Sequence, residues 1–93
     1  MPFMTTYTWE PSHRNAIVKR RIEKGTMLPE GVKVLGERTD LGGGRGFLLL
    51  EGNDPVLFIA GTQAWSDRMK MESVPVIDTG TVMKVMQSAQ QKR

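Results

Sequence analysis

Four short segments of the chain are rich in apolar, β-branched or aromatic residues, and three further segments have the boundaries or the apolar spacing of helices. In the last of these segments Val82, Val85 and Met86 fall within an arc of about 100° on a helix, which indicates an amphipathic helix. The predicted strands span residues 3–9, 32–39, 46–51 and 70–78, and the predicted helices span residues 12–24, 55–66 and 81–90.

Proline, glycine and capping residues mark the ends of these elements. Pro11 suits the first turn of the first helix, and Gly25 suits the left-handed position that closes it. The run Asn53-Asp54-Pro55 places a capping side chain beside a first-turn proline and predicts the start of the second helix. Pro75 cannot donate to a neighbouring strand, so the fourth strand is predicted to lie at a sheet edge.

The order of elements is β-α-β-β-α-β followed by one more helix. This order predicts an α+β, ferredoxin-like fold, with one four-stranded antiparallel sheet and helices on one of its faces. A chain of 93 residues is the size of a single domain. We therefore expect one domain over residues 1–93, with a core over residues 3–79 and the added C-terminal helix over residues 81–90.

The third strand is apolar on both of its faces. Phe47 and Leu49 point to one side, and Leu48 and Leu50 point to the other. One chain supplies helices for one face only, so the simplest expectation is a homodimer whose two sheets pair face to face. The second helix, residues 55–66, is apolar nearly all round and is predicted to be buried nearly all round. The alternative is a monomer with exposed apolar residues.

Several short motifs together resemble a known family. They are the Tyr7-Thr8-Trp9 strand leading to Pro11 and His13-Arg14, the link over residues 40–47, Ala64-Trp65-Ser66-Asp67, and the segment over residues 74–78. Across residues 3–80 the chain resembles an uncharacterised prokaryotic domain family of the dimeric α/β-barrel superfamily. The resemblance implies the ferredoxin-like fold and the dimer but no established activity, because that superfamily includes cofactor-free monooxygenases, isomerases, haem-binding enzymes and ligand-sensing domains.

The amino-acid composition excludes several kinds of reactive, metal-binding and membrane-spanning segment. The chain has no cysteine and a single histidine, His13, so thiolate chemistry and His-rich metal sites are excluded. No acidic run has the spacing of a calcium loop, and we expect neither a metal nor a cofactor. No apolar run approaches the length of a membrane helix, and the N-terminus lacks a signal-peptide pattern. We therefore expect a cytoplasmic protein without a membrane partner.

The net charge of +3 is concentrated in one segment. Residues 13–24 hold five Lys or Arg against one Glu, a local charge of +4, which leaves −1 for the rest of the chain. Lys19, Arg20 and Lys24 are expected on a solvated helix surface. A nucleic-acid-binding module using this helix is the third functional hypothesis. Its support is weak because the positive charge is confined to this one segment. RNA binding by the sheet is disfavoured separately, because the RNA-binding pattern that opens at Arg45-Gly46-Phe47 lacks its further stacking aromatics.

The leading functional hypothesis is a small-ligand-binding protein. Aromatic side chains with a few polar groups are typical of small-molecule pockets, although they are equally typical of a core. We expect a small, partly aromatic or anionic ligand in the barrel cavity between the paired sheets. The glycine-rich link over residues 42–46 is interpreted as a hairpin loop rather than a phosphate cradle. The predicted ligand-binding residues are Trp9, Trp65, Asp67, Glu72 and Arg45.

The second hypothesis is an enzyme of the cofactor-independent monooxygenase or isomerase type. His13 is the one imidazole and Tyr7 carries a phenol, so either is a candidate proton carrier, and Arg38 is the candidate for stabilising negative charge. Whether the protein is an enzyme stays open at this stage, because His13 equally suits an exposed first turn without a chemical role. Arg14 and Arg21 share the apolar stripe of the first helix and either face an anionic ligand or extend into water.

Overall fold

All of the predicted strands and helices are present in the structure, a computed structural model that describes residues 2–91. A 3₁₀ turn over Pro11–His13 leads into the first α-helix. The strands are β1 (Pro2–Thr8), β2 (Lys33–Thr39), β3 (Arg45–Glu51) and β4 (Lys70–Pro75), and the helices are α1 (Arg14–Lys24), α2 (Pro55–Gln63) and α3 (Thr79–Gln91).

The four strands form one antiparallel sheet in the order β2-β3-β1-β4. The β-α-β-β-α-β order and this strand order together confirm the ferredoxin-like fold. β4 lies at an edge of the sheet, as Pro75 predicted. A bulge between Val34 and Gly36 interrupts the pairing of β2 with β3.

Strand register divides the sheet into two faces, here named the helix face and the open face. Tyr7 of β1 pairs with Gly46 of β3 and Met71 of β4, and these three residues belong to the helix face. The core lies on this face, where the rings of Phe3 and Phe58 are 4.2 Å apart. The helices therefore cover one side of the sheet only. The buried core cluster consists of Tyr7, Leu48, Leu50 and Phe58.

The open face carries the second apolar set that the sequence predicted. Leu49 pairs with Met4, which in turn pairs with Val74, and Phe47 lies on the same side. These side chains are only partly covered, and Val74 is 53% exposed. Because α1 and α2 pack on the helix face, neither of them covers this surface.

α3 extends away from the rest of the fold. Its described side chains are exposed except that of Val82, which is half-buried, and the described chain measures 55 Å along its longest axis. Met83, Val85 and Met86 are all exposed. The apolar face of α3 is therefore not covered within residues 2–91. An isolated helix of this length is only marginally stable in water unless its apolar face is packed.

Several element boundaries differ from the predicted ones for local reasons. The first helix becomes α-helical only at Arg14, because residues 11–13 form the 3₁₀ turn. The second helix ends at Gln63, and turns follow it as far as Met69. β4 ends at Pro75 rather than at residue 78. The side chain of Asp78 instead accepts from the backbone N–H of Thr81, so α3 begins at Thr79.

The expectation that the second helix is buried all round is wrong for the single chain. Phe58 and Gly61 of α2 are buried, whereas Val56 and Ile59 are 65% and 60% exposed. The start of the helix is as predicted, since Asp54 accepts a hydrogen bond from the Val56 N–H at 3.0 Å. Its near-uniform apolarity therefore reflects one buried face and one exposed apolar face.

Candidate ligand-binding cavity

A cavity of about 420 Å³ lies between the helix face of the sheet and α1. Its walls come from all four strands, from α1 and from the turn after α2, and they are mostly apolar or aromatic. The cavity therefore lies on the opposite side of the sheet from the predicted one, because the barrel cavity expected from the sequence would lie between the open faces of two paired sheets. The lining residues are Tyr7, Trp9, Arg14, Ile17, Val18, Arg21, Ile22, Thr26, Glu37, Thr39, Gly43, Leu48, Trp65, Met69 and Met71.

Two aromatic rings from β1 and the residue after it form the sheet side of the cavity. The rings of Tyr7 and Trp9 are stacked, with centroids 5.8 Å apart and planes inclined by 24°. The Tyr7 ring lies directly against the backbone of Gly46 on the neighbouring strand, in space that any larger side chain at that position would occupy. Glycine at position 46 therefore fixes where the Tyr7 ring sits.

Trp65 closes the cavity beside the turn that follows α2. Its indole N–H donates to the backbone oxygen of Thr26 at 2.9 Å, and the residue is only 6% exposed. On the α1 side, the Arg20 guanidinium lies 5.3 Å from the centre of the Trp65 ring. The ring is therefore held by a hydrogen bond and by a cation–π contact.

Arg20 is not the solvated side chain that the sequence predicted. It makes a paired contact with Asp67, with both nitrogen–oxygen distances at 2.8 Å, and it donates to the backbone oxygen of Ala64 at 2.9 Å. The hydrogen bonds from Arg20 lower the pKa of Asp67 to about 2. These contacts join α1 to the turn that carries Trp65. Asp67 itself does not line the cavity.

An ion pair between α1 and β2 supplies part of the polar lining. The guanidinium of Arg21 donates to both carboxylate oxygens of Glu37, at 2.6 and 2.8 Å. Burial and the nearby charge of Glu37 both raise the pKa of Tyr7, while Arg21 opposes them. Tyr7 is therefore a neutral phenol near pH 7.

Five other polar groups of the lining have no side-chain partner within the described part of the chain. They are the Arg14 guanidinium, the hydroxyls of Tyr7, Thr26 and Thr39, and the indole N–H of Trp9. Each can donate a hydrogen bond to a molecule inside the cavity.

The structure brings together three of the residues proposed from the sequence and separates the others. Tyr7, Trp9 and Trp65 line the cavity. His13 lies outside the lining, and its Nδ1 accepts from Arg68 at 2.9 Å, because a guanidinium can only donate. Asp67, bound to Arg20, also lies outside the lining, and the strand pairing places the remaining three, Arg38, Glu72 and Arg45, on the open face.

Glu37 and Thr39 belong to the cavity but were not singled out from the sequence. Glu37 adjoins Arg38, and alternation along β2 puts the two on opposite faces. The pairing of Glu37 with Leu48 on β3 shows which of them faces α1. The only signal in the sequence was this alternation, which does not say which face receives the helices.

In the part of the chain that the structure describes, no three His, Cys, Asp or Glu residues lie close enough to hold a metal ion. None of the helices within residues 2–91 combines the length and apolarity needed to cross a membrane.

Comparison with known proteins identifies the family. Among solved structures, the chain is similar to a crystal structure from Deinococcus radiodurans described as that of a proposed antibiotic biosynthesis monooxygenase. The TM-score is 0.49 at 10% sequence identity, and the match covers 84% of this chain and 94% of that chain. A search of curated proteins finds no significant sequence match. The sequence profile of one family, Domain of unknown function (DUF3303), matches residues 1–90, and the chain therefore belongs to that family.

Proposed function

We propose that this protein binds a small, flat, partly aromatic ligand in the cavity between the helix face and α1. The observation that carries the proposal is the cavity itself, about 420 Å³ in volume and walled by Tyr7, Trp9 and Trp65. This volume falls within the roughly 300–1,000 Å³ range of small-molecule pockets. Aromatic walls with a few polar groups favour a ligand with a flat apolar body.

The apolar edge of α1 supports the same proposal. Val18 and Ile22 both line the cavity, yet they are 44% and 79% exposed. A ligand between α1 and the sheet would cover these side chains together with the face of Trp9. The hydrophobic effect would then contribute to binding at roughly 25 cal/mol per Å² of apolar surface removed from water.

A homodimer is the second part of the proposal. The open face presents Met4, Phe47, Leu49 and Val74 as one partly exposed apolar surface on neighbouring strands. A second copy of the chain, with its open face against this one, would cover all four. The exposed apolar side of α3 would add further surface to such an assembly. The ligand cavity lies on the other side of the sheet, so dimerisation would leave it intact.

The other two hypotheses receive less support from the geometry. Of the three residues considered for catalysis, Tyr7 lies in the cavity, His13 lies outside its lining and Arg38 lies on the opposite face. For nucleic acid, Arg20 and Arg21 are already engaged by the carboxylates of Asp67 and Glu37. The basic segment therefore offers less free positive charge than its sequence indicates.

Thermal unfolding in the presence of 2-naphthoate, a flat two-ring probe, tests the binding proposal. The unfolding temperature should rise with probe concentration, because a ligand that binds only the folded state stabilises it by mass action. Val18→Phe fills the cavity and should abolish the rise. Val56→Phe makes the same change on the exposed face of α2 and should preserve it. Equal stabilisation of both variants would overturn the assignment of the site.

A further inference from the structure

We infer that the ligand of this cavity is an aromatic anion whose charged group binds Arg14. This inference rests on the proposed function and adds the chemical class of the ligand. It comes from the charged groups in the cavity wall, where the one carboxylate, Glu37, is bound by Arg21, whereas Arg14 has no partner among the described residues.

The charges of the lining do not cancel. Two arginines and one glutamate line the cavity, which gives a formal charge of +1. Glu37 accepts from Arg21 with both of its oxygens, so this pair is neutral and internally satisfied. Arg14 is left with its guanidinium unpaired among the described residues. A carboxylate, which accepts two parallel hydrogen bonds from a guanidinium, is the matching group.

The neutral polar groups can bind the same class of ligand. The hydroxyl groups of Tyr7 and Thr39 are available to donate, and the indole N–H of Trp9 is a donor only. The cavity wall therefore offers several donors, whereas its one carboxylate is already occupied by Arg21. A cationic ligand would find no free carboxylate in this lining. An acceptor-rich anion would find a partner for each donor.

The position of Arg14 adds to its suitability. It is the first residue of α1, and the first turn of that helix contains no acidic residue and no side-chain cap. The guanidinium therefore has no competing carboxylate on the same turn. With the anionic group at Arg14, the aromatic body of the ligand would extend past Val18 toward Tyr7 and Trp9.

Isothermal titration calorimetry with 2-naphthoate and 2-naphthamide tests the inference. The two probes share one aromatic shape and differ in charge, so wild-type protein should bind 2-naphthoate at least about tenfold more tightly, as expected for one charge-assisted contact. Arg14→Gln should remove the preference by weakening 2-naphthoate alone. Arg14→Lys, which keeps the positive charge, should restore part of it. Lys19→Gln, an exposed site outside the lining, should keep the full preference.

The outcomes separate the inference from the function on which it rests. Equal affinity for the two probes, or an Arg14→Gln variant that keeps the preference, would overturn the anionic class while leaving aromatic binding in place. If Arg14→Gln lowered the affinity for both probes equally, the anionic class would be overturned too, because Arg14 would then act through its shape rather than its charge. Failure of both probes to bind wild-type protein would overturn the inference and the proposed function together.

Discussion

At the scale of single residues, the cavity depends on a glycine facing a tyrosine. Tyr7 and Gly46 are paired across β1 and β3, and the tyrosine ring occupies the space above the glycine backbone. An aromatic ring on a cross-strand glycine covers backbone that would otherwise face water and fixes the ring in one orientation. The sequence contains both residues, but their contact depends on the register of the two strands.

Replacement of Gly46 by alanine should disturb the cavity. The added Cβ would overlap the Tyr7 ring, and overpacking of this kind costs about 1–3 kcal/mol of unfolding free energy. Gly44→Ala is the matched control, because a Cβ there meets nothing within 4 Å, and it should change stability by less than about 0.5 kcal/mol. Urea unfolding measures both variants. Equal stability of the two would contradict the Tyr7–Gly46 contact.

The titration of Tyr7 can be observed without interference, because it is the single tyrosine in the chain. Its pKa is raised above 10.0 by burial and by Glu37. A pH titration of tyrosinate absorbance near 295 nm should therefore give a higher midpoint for folded protein than for protein in urea. Glu37→Gln should lower the folded midpoint, since it removes a negative charge beside the phenol.

The sign of the stability change follows from the same shift. At a pH below the pKa of Tyr7 in unfolded protein, the phenol is protonated in both the folded and the unfolded protein. The stabilisation that accompanies the raised pKa of Tyr7 is therefore complete in that pH range. As the pH rises through the folded pKa of Tyr7 this stabilisation is lost. A folded midpoint at or below the midpoint in urea would show that the Tyr7 hydroxyl faces bulk water rather than the cavity.

At the scale of elements, the position of α1 determines the shape of the cavity. Ile17 is the one buried residue of the helix, and the Arg21–Glu37 pair joins the helix to β2. On its other side it is joined to the turn after α2 by Arg20 and Asp67. Two arginines that are adjacent in sequence thus fasten α1 to two different parts of the fold.

Removal of the Arg20 contacts should loosen this attachment. Arg20→Ala loses the pair with Asp67, the hydrogen bond to Ala64 and the cover over Trp65, so its urea midpoint should fall. Lys19→Ala on the same helix should leave the midpoint unchanged. The lowered pKa of Asp67 implies that the contact persists above pH 3.8 and is lost as the pH falls toward about 2. Equal midpoints for the two variants would show that Arg20 does not hold α1 in place.

The types of the elements and the order of the strands could be predicted from the sequence, whereas only some of the residues that line the cavity could be. Alternation along β2 separates Glu37 from Arg38, but it does not say which of them faces α1. That choice depends on the bulge after Val34 and on the register set by the 40–44 loop. The sequence therefore predicts Arg38 as a site residue and does not indicate Glu37. Tyr7 and Trp9 could be recognised because aromatic residues on a central strand, or directly after it, have few alternatives to a core or a pocket.

At the scale of the whole molecule, three apolar surfaces within residues 2–91 lack a partner. They are the open face of the sheet, the exposed side of α3 and the exposed face of α2. An exposed apolar patch formed by neighbouring strands commonly marks a protein–protein interface. The two-layer fold leaves this patch uncovered because both of its packed helices lie on the same side of the sheet.

The homodimer proposal predicts a molar mass of twice 10.4 kDa, or about 21 kDa, by light scattering behind a sizing column. Leu49→Glu places a charge at the centre of the open face and should shift the mass toward 10.4 kDa. Leu41→Glu, at a fully exposed loop position, should leave the dimer intact. A wild-type monomer would contradict the face-to-face assembly, and so would a dimer that Leu49→Glu leaves unchanged.

The cavity is tested most directly by the two indole N–H signals in an NMR spectrum of ¹⁵N-labelled protein. The chain has two tryptophans, and both line the cavity. Addition of 2-naphthoate should shift both signals saturably in wild-type protein and in Val56→Phe, and should leave them in place in Val18→Phe. Binding that leaves both indole signals unmoved, or no saturable shift at all, would contradict a ligand site between α1 and the sheet.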